Sequence, residues 1–112
     1  TWSEWTPIAP VVVLRDYPQT GGIWGPLCLA SHADPLDCAR PRAEALPTDV
    51  AYETARRGWP GVTAIDLSDL FCDAALCYPV VGGLPVYYDR DHITGTFGRS
   101  MAPVLAERLV LP

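Results

Sequence analysis

The sequence predicts an α/β domain built on a parallel sheet, and three observations carry that prediction. Val11-Val12-Val13-Leu14 is a β-branched apolar run without polar alternation, the pattern of a strand covered on both faces, as in parallel sheets. The stretch Thr48 to Gly58 carries the punctuation of a short helix. Thr48 suits the N-cap, Asp49 the first turn, Arg56 and Arg57 the last turn, and Gly58 the left-handed C-cap, which predicts a helix from Asp49 to Arg57. Gly61-Val62-Thr63-Ala64-Ile65-Asp66 then supplies a second β-prone run after a Trp-Pro-Gly break. Strand, helix and strand in that order predict a right-handed crossover joining two parallel strands.

The remaining elements follow from turn chemistry and periodicity. Arg15-Asp16-Tyr17-Pro18 ends the first strand, and Gln19 to Pro47, rich in Gly and Pro, reads as one long crosslinked loop. Leu67 to Leu76 holds Asp69, Cys72 and Asp73, and Tyr78 to Leu84 reads as a Pro- and Gly-marked turn into a strand Val86-Tyr87-Tyr88. From Gly95 onward Phe97, Met101, Val104, Leu105 and Leu109 recur at helical spacing, predicting an amphipathic helix with one buried stripe. Pro103 predicts either a kink there or a helix that begins near Ala102.

Composition narrows the function classes. With 112 residues, 49% apolar and 19% charged, the chain has the makeup of one packed globular unit rather than a disordered segment. The net charge is −5, and the eight basic residues are all arginines with no run longer than Arg56-Arg57, so nucleic acid has no electrostatic footprint here. No apolar stretch approaches the roughly 20 residues of a membrane-spanning helix, and the opening residues lack signal-peptide character, so any export signal is expected outside the chain. No metal or cofactor motif is present, and none is expected to be needed.

Four cysteines, Cys28, Cys38, Cys72 and Cys77, stand in two close pairs within loop-like sequence. Two local disulfides are the natural reading, with Cys28 to Cys38 and Cys72 to Cys77 the pairing that reorganises the chain least. Neither pair has the two-residue spacing of a zinc knuckle, and free buried thiols in a reducing compartment are the other alternative.

Chemistry concentrates at one turn. His92 follows Asp89 by three residues, immediately before the final helix. A carboxylate at that spacing on a tight turn can reach back to an imidazole nitrogen, fix the tautomer and prepare the other nitrogen as a base. An isolated Asp-x-x-His is more often an exposed polar turn. Asp91 is expected at a solvated rim, because adjacent side chains diverge. Arg15 and Asp16 sit at a strand's carboxyl end, where α/β sheets place their clefts, and are expected to line a substrate groove or to form a structural ion pair. His32 is expected to be exposed, and Trp2, Trp5, Trp24 and Trp59 either stack on sugars or are simply buried.

The ordered set of pieces is more specific than any one of them. Ala64-Ile65-Asp66-Leu67-Ser68-Asp69, Cys72, Cys77-Tyr78-Pro79-Val80-Val81-Gly82-Gly83, Val86 to Thr94 with its Asp89 and His92, and Ser100-Met101-Ala102-Pro103 together resemble a known family. They are similar to the end of the SGNH (GDSL-like) domain fused to membrane acyltransferases of the acyltransferase-3 family. The resemblance extends upstream to Val11 through Pro18 and to Cys38 with Pro41-Arg42-Ala43-Glu44-Ala45-Leu46. It implies a three-layer α/β/α, SGNH-hydrolase-like (flavodoxin-like) sandwich of which residues 1–112 supply the C-terminal portion. It implies Asp89 as the orienting carboxylate and His92 as general base in serine-dependent acyl transfer to a glycan hydroxyl, or in ester hydrolysis. A non-catalytic glycan-binding domain with a vestigial Asp/His turn is the alternative from another class.

The departures shape the remaining expectations. The family's nucleophile lies in a Gly-Asp-Ser block, and none of Ser3, Ser31, Ser68 or Ser100 stands in that context; Ser68 is the nearest imitation. Asparagine is absent, so the family's asparagine oxyanion donor has no counterpart. The expected partners are therefore the N-terminal half of the same SGNH domain, an acyl donor, a glycan acceptor and an attached membrane acyltransferase domain. The expected setting is extracytoplasmic, at the periplasm or cell surface, with membrane tethering outside the chain.

Overall fold

The computed structural model describes residues 1–19, 25–90 and 92–109, so Trp24 and Asp91 fall outside the described residues. One helical turn, α1 (Trp2–Trp5), precedes β1 (Val11–Leu14); after it come α2 (Pro26–Ser31), a 3₁₀ turn (Pro35–Cys38), β2 (Arg40–Pro41) and α3 (Arg42–Ala45). Then follow α4 (Val50–Arg56), β3 (Val62–Ile65), a second 3₁₀ turn (Ser68–Leu70), β4 (Leu76–Cys77), β5 (Val80–Val81), β6 (Leu84–Pro85) and the long helix α5 (Gly95–Arg108).

The crossover is present. β1 and β3 pair in parallel, Val11 opposite Val62 through Leu14 opposite Ile65, and α4, which joins them in sequence, packs on both. The helix is capped by Asp49 rather than Thr48: Asp49 Oδ1 accepts from the Tyr52 N–H at 2.9 Å, and Oδ2 accepts from the Asp16 N–H at 3.0 Å. One carboxylate thus starts the helix and ties it to the end of β1. Gly58, at φ +108°, ends the helix in a conformation that disfavours a side chain.

The sheet is narrower than the apolar run predicts. Among the described residues it has two strands; Val11 to Val13 are only half-buried and Leu14 is 48% exposed. The run is apolar on both faces, and among the described residues β1 pairs with β3 and packs on α4. Three layers are not assembled from these residues alone.

Two further expectations are corrected, and one open alternative is decided. Gln19 to Pro47 is not one long loop, because its prolines start structure: Pro26 and Pro35 open the first turns of α2 and the 3₁₀ segment, where a missing N–H costs nothing. Val86 to Tyr88 is not a strand. The hairpin lies earlier, between β5 and β6, closed by Gly82 and Gly83 at φ +58° and +77°, a two-residue turn that needs positive φ at both positions. Finally, α5 starts at Gly95, so Pro103 lies inside the helix and provides no N–H for the Arg99 carbonyl. Of the predicted stripe only Phe97 is buried; Met101, Val104 and Leu105 are half-buried and Leu109 is 38% exposed.

The core lies beside the second cysteine pair rather than over the parallel strands. Ala45, Phe71, Cys72, Cys77, Val86, Tyr87 and Phe97 form it, and Phe71 meets Phe97 edge to face with centroids 5.1 Å apart. Two polar bonds fix its margins. The buried Tyr87 hydroxyl donates to the Pro18 carbonyl at 2.6 Å, and Arg108 grips the Asp69 carboxylate with two bonds of 2.8 Å, holding α5 against the second 3₁₀ turn.

Candidate functional site

The carboxyl ends of β1 and β3 bring charged residues together. Because Leu14 lies opposite Ile65, the next residues, Arg15 and Asp66, are neighbours, and Arg15 Nη1 donates to Asp66 Oδ2 at 2.9 Å. The guanidinium also lies over the Tyr52 ring, 5.3 Å from its centroid. Burial works to raise the Asp66 pKa. The Ser68 hydroxyl and N–H and the Arg15 guanidinium outweigh it and hold the carboxyl below the usual value. Arg15 is thus in a structural pair, while Asp16 is exposed, donates its N–H to Asp49 and accepts the Tyr17 N–H on its own Oδ1 at 3.0 Å. The sequence reading missed Asp66, although the register of the two strands was the signal that places it.

Asp89 and His92 meet on a tight turn. Past Val86 the backbone folds back on itself: Tyr88 N–H donates to the His92 carbonyl at 3.1 Å, Tyr87 bridges Ile93, and Thr94 N–H donates to the Val86 carbonyl at 2.7 Å. Thr94 locks the exit, its hydroxyl donating to the Pro85 carbonyl at 2.7 Å and accepting the Phe97 N–H at 3.1 Å as the cap of α5. Inside the turn, Asp89 Oδ1 accepts the His92 N–H at 2.7 Å, and the carboxylate meets His92 Nδ1 at 2.9 Å through Oδ2 and 3.1 Å through Oδ1. That arrangement places a proton on Nδ1 and leaves Nε2 as the basic nitrogen. Among the described residues no hydrogen bond reaches Nε2, and the imidazole side chain is 62% exposed.

The turn borders the sheet's carboxyl end. Ile93, next to His92, lines an apolar cavity of about 80 Å³ with Leu14, Tyr17 and Phe71, and Met101 of α5 closes it. The serines stand elsewhere. Ser68 is buried and its hydroxyl accepts from Arg42 Nη2 at 3.0 Å, while Ser31 and Ser100 donate to the carbonyls of Leu27 and Phe97 at 2.9 and 2.6 Å. Ser3 pairs with the Thr1 hydroxyl at 2.9 Å. Among the described residues none of the four serines is bonded to His92.

The cysteines form two disulfides, Cys28 with Cys38 and Cys72 with Cys77. The exposed His32 sits with its Nδ1 2.8 Å from the Cys28 carbonyl oxygen, and the two nearby sulfurs are committed to their bridge and cannot serve as thiolate ligands. The bridges fit an oxidising, extracytoplasmic setting. No helix among the described residues is long and apolar enough to cross a membrane.

No curated protein and no solved structure matches the chain. A family model described as the SGNH domain fused to AT3 domains matches residues 7–107, from just before β1 to the last turn of α5 and including both the crossover and the Asp89–His92 turn. Its reaction class is acyl transfer or ester hydrolysis. On that match, the chain belongs to the SGNH domain family, in the form found fused to AT3 domains.

Proposed function

We propose that this chain supplies the acid/base pair of a serine-dependent O-acyltransferase acting on an extracytoplasmic glycan. The observation that carries the reading is the two-oxygen hold of Asp89 on His92 Nδ1, which leaves Nε2 without a hydrogen bond among the described residues, on a turn whose Ile93 borders the sheet's carboxyl end. The nucleophilic serine and the oxyanion donors come from the other half of the same SGNH domain. That none of the four serines is hydrogen-bonded to His92 among the described residues supports that division.

In the first half-reaction His92 Nε2 takes the serine proton as the oxygen attacks the donor's acyl carbonyl. The tetrahedral intermediate collapses, and the imidazolium returns that proton to the departing group. In the second half-reaction Nε2 takes the proton of a glycan hydroxyl, the new alkoxide attacks the serine ester, and the serine leaves with the proton from the imidazolium. Asp89 stays ionised throughout, fixing the tautomer and stabilising the imidazolium. Proton transfer of this kind contributes on the order of 10² to 10⁴ in rate. An attached membrane acyltransferase domain is the proposed source of the acyl donor.

Product analysis on the full-length protein with an acyl-aryl donor and a sugar acceptor tests the reading. Acylated sugar is the expected product. Free acid alone would replace transfer with hydrolysis, and absence of turnover together with no labelling by a serine-reactive fluorophosphonate would make the domain a non-catalytic glycan binder.

A further inference from the structure

Tyr88 is the one aromatic neighbour of His92 among the described residues whose ring packs against the imidazole. The two rings stack with centroids 5.6 Å apart and planes 18° from parallel. The backbone enforces the pairing, because the Tyr88 N–H is bonded to the His92 carbonyl across the neck of the turn. Tyr88 is itself 62% exposed, with its side chain outside the core that holds the adjacent Tyr87. A large ring left at the surface against an imidazole is poorly explained by burial and well explained by what it covers.

We propose that Tyr88 is a positioning residue for His92: its ring covers one face of the imidazole while Asp89 fixes the edge, so that Nε2 is presented in one orientation. The inference rests on the proposed role of His92 as the base. Asp89 alone holds Nδ1, which leaves the ring able to swing about that hydrogen bond. On a side chain this exposed, a second contact is needed to remove the swing. Stacked rings attract one another beyond the area they bury, and the face of a phenol ring also favours the imidazolium formed at each proton transfer. The hydroxyl plays no part in either effect, so phenylalanine should substitute for tyrosine.

The test joins a spectroscopic and a kinetic measurement on the full-length protein carrying Tyr88→Leu, Tyr88→Phe or His92→Ala. In NMR spectra the His92 ring protons should be displaced upfield by the Tyr88 ring current in the wild type and in Tyr88→Phe, and should return to ordinary positions in Tyr88→Leu. With an aryl acetate, Tyr88→Leu should lower kcat by roughly two- to tenfold with KM nearly unchanged. Tyr88→Phe should retain wild-type values. Unshifted ring protons in the wild type, or full activity of Tyr88→Leu beside an inactive His92→Ala, would overturn the role of Tyr88 alone. Normal activity of His92→Ala would overturn the catalytic reading and this inference with it.

Discussion

At the scale of single residues, the account turns on carboxylates that do different work in similar-looking places. Asp89 holds an imidazole, Asp66 pairs with Arg15, Asp69 with Arg108 and Asp49 caps a helix. Replacing Asp89 with asparagine removes the charge that fixes the His92 tautomer. Turnover by the full-length protein is expected to fall on the order of 10⁴-fold, as the matching change does in serine proteases, with the fold intact. Wild-type rates for Asp89→Asn would contradict it. Asp66 and Asp69 serve stability instead. Asp66 is held low by Ser68 and Arg15 against the opposing effect of burial, and Asp69 is held low by the hydrogen bond from Arg108. Both therefore ionise more readily folded than unfolded. Their stabilising contribution is present above the ordinary aspartate value of 3.8 and is lost as pH falls through the lowered folded values. The melting temperature should drop in that acid range, and Asp66→Asn with Asp69→Asn should flatten the drop; equal steepness in the double variant would reject the assignment.

At the scale of elements, what could be read from the sequence was what has a period or a cap. The crossover of β1, α4 and β3 was legible because apolar runs and cap residues mark it, down to the positive φ at Gly58. The core was not, because Phe71, Val86 and Tyr87 lie in irregular segments with no repeat to expose them, and the second disulfide gathers them. Pro103 left two readings open, a helix running through it or a start near Ala102, and the cap at Thr94 with the anchor of Phe97 decides for the longer helix, two turns earlier than Ala102. The bridges should matter accordingly. With sequence separations of 10 and 5, chain entropy assigns them about 3 and about 2 kcal/mol. The second also contributes buried sulfur to the core. A thermal melt with and without a phosphine reductant should show a clear fall in midpoint under reduction. An unchanged midpoint would show that the bridges carry no stability.

At the scale of the whole molecule, the chain is more extended than one well-filled core of its length. Its radius of gyration is 15.7 Å and its extents are 51 × 25 × 23 Å, against roughly 13 Å expected for a compact unit of this size. Part of its exposed apolar surface flanks β1: Ile8 is 84% exposed and Leu14, at the end of β1, is 48% exposed. These features support the proposal that further sheet packs along β1 and brings the serine to His92. The Asp89–His92 pair was legible because a tight turn needs no distant partner to form. The serine that the proposed function requires was not legible, since no serine of this sequence stands in a Gly-Asp-Ser block. The most direct test of the central claim is kcat/KM for an aryl acetate ester, measured on the full-length protein and on His92→Ala with matching circular dichroism. A loss of at least about 10²-fold is predicted in the variant; a rate equal to wild type would contradict the proposal.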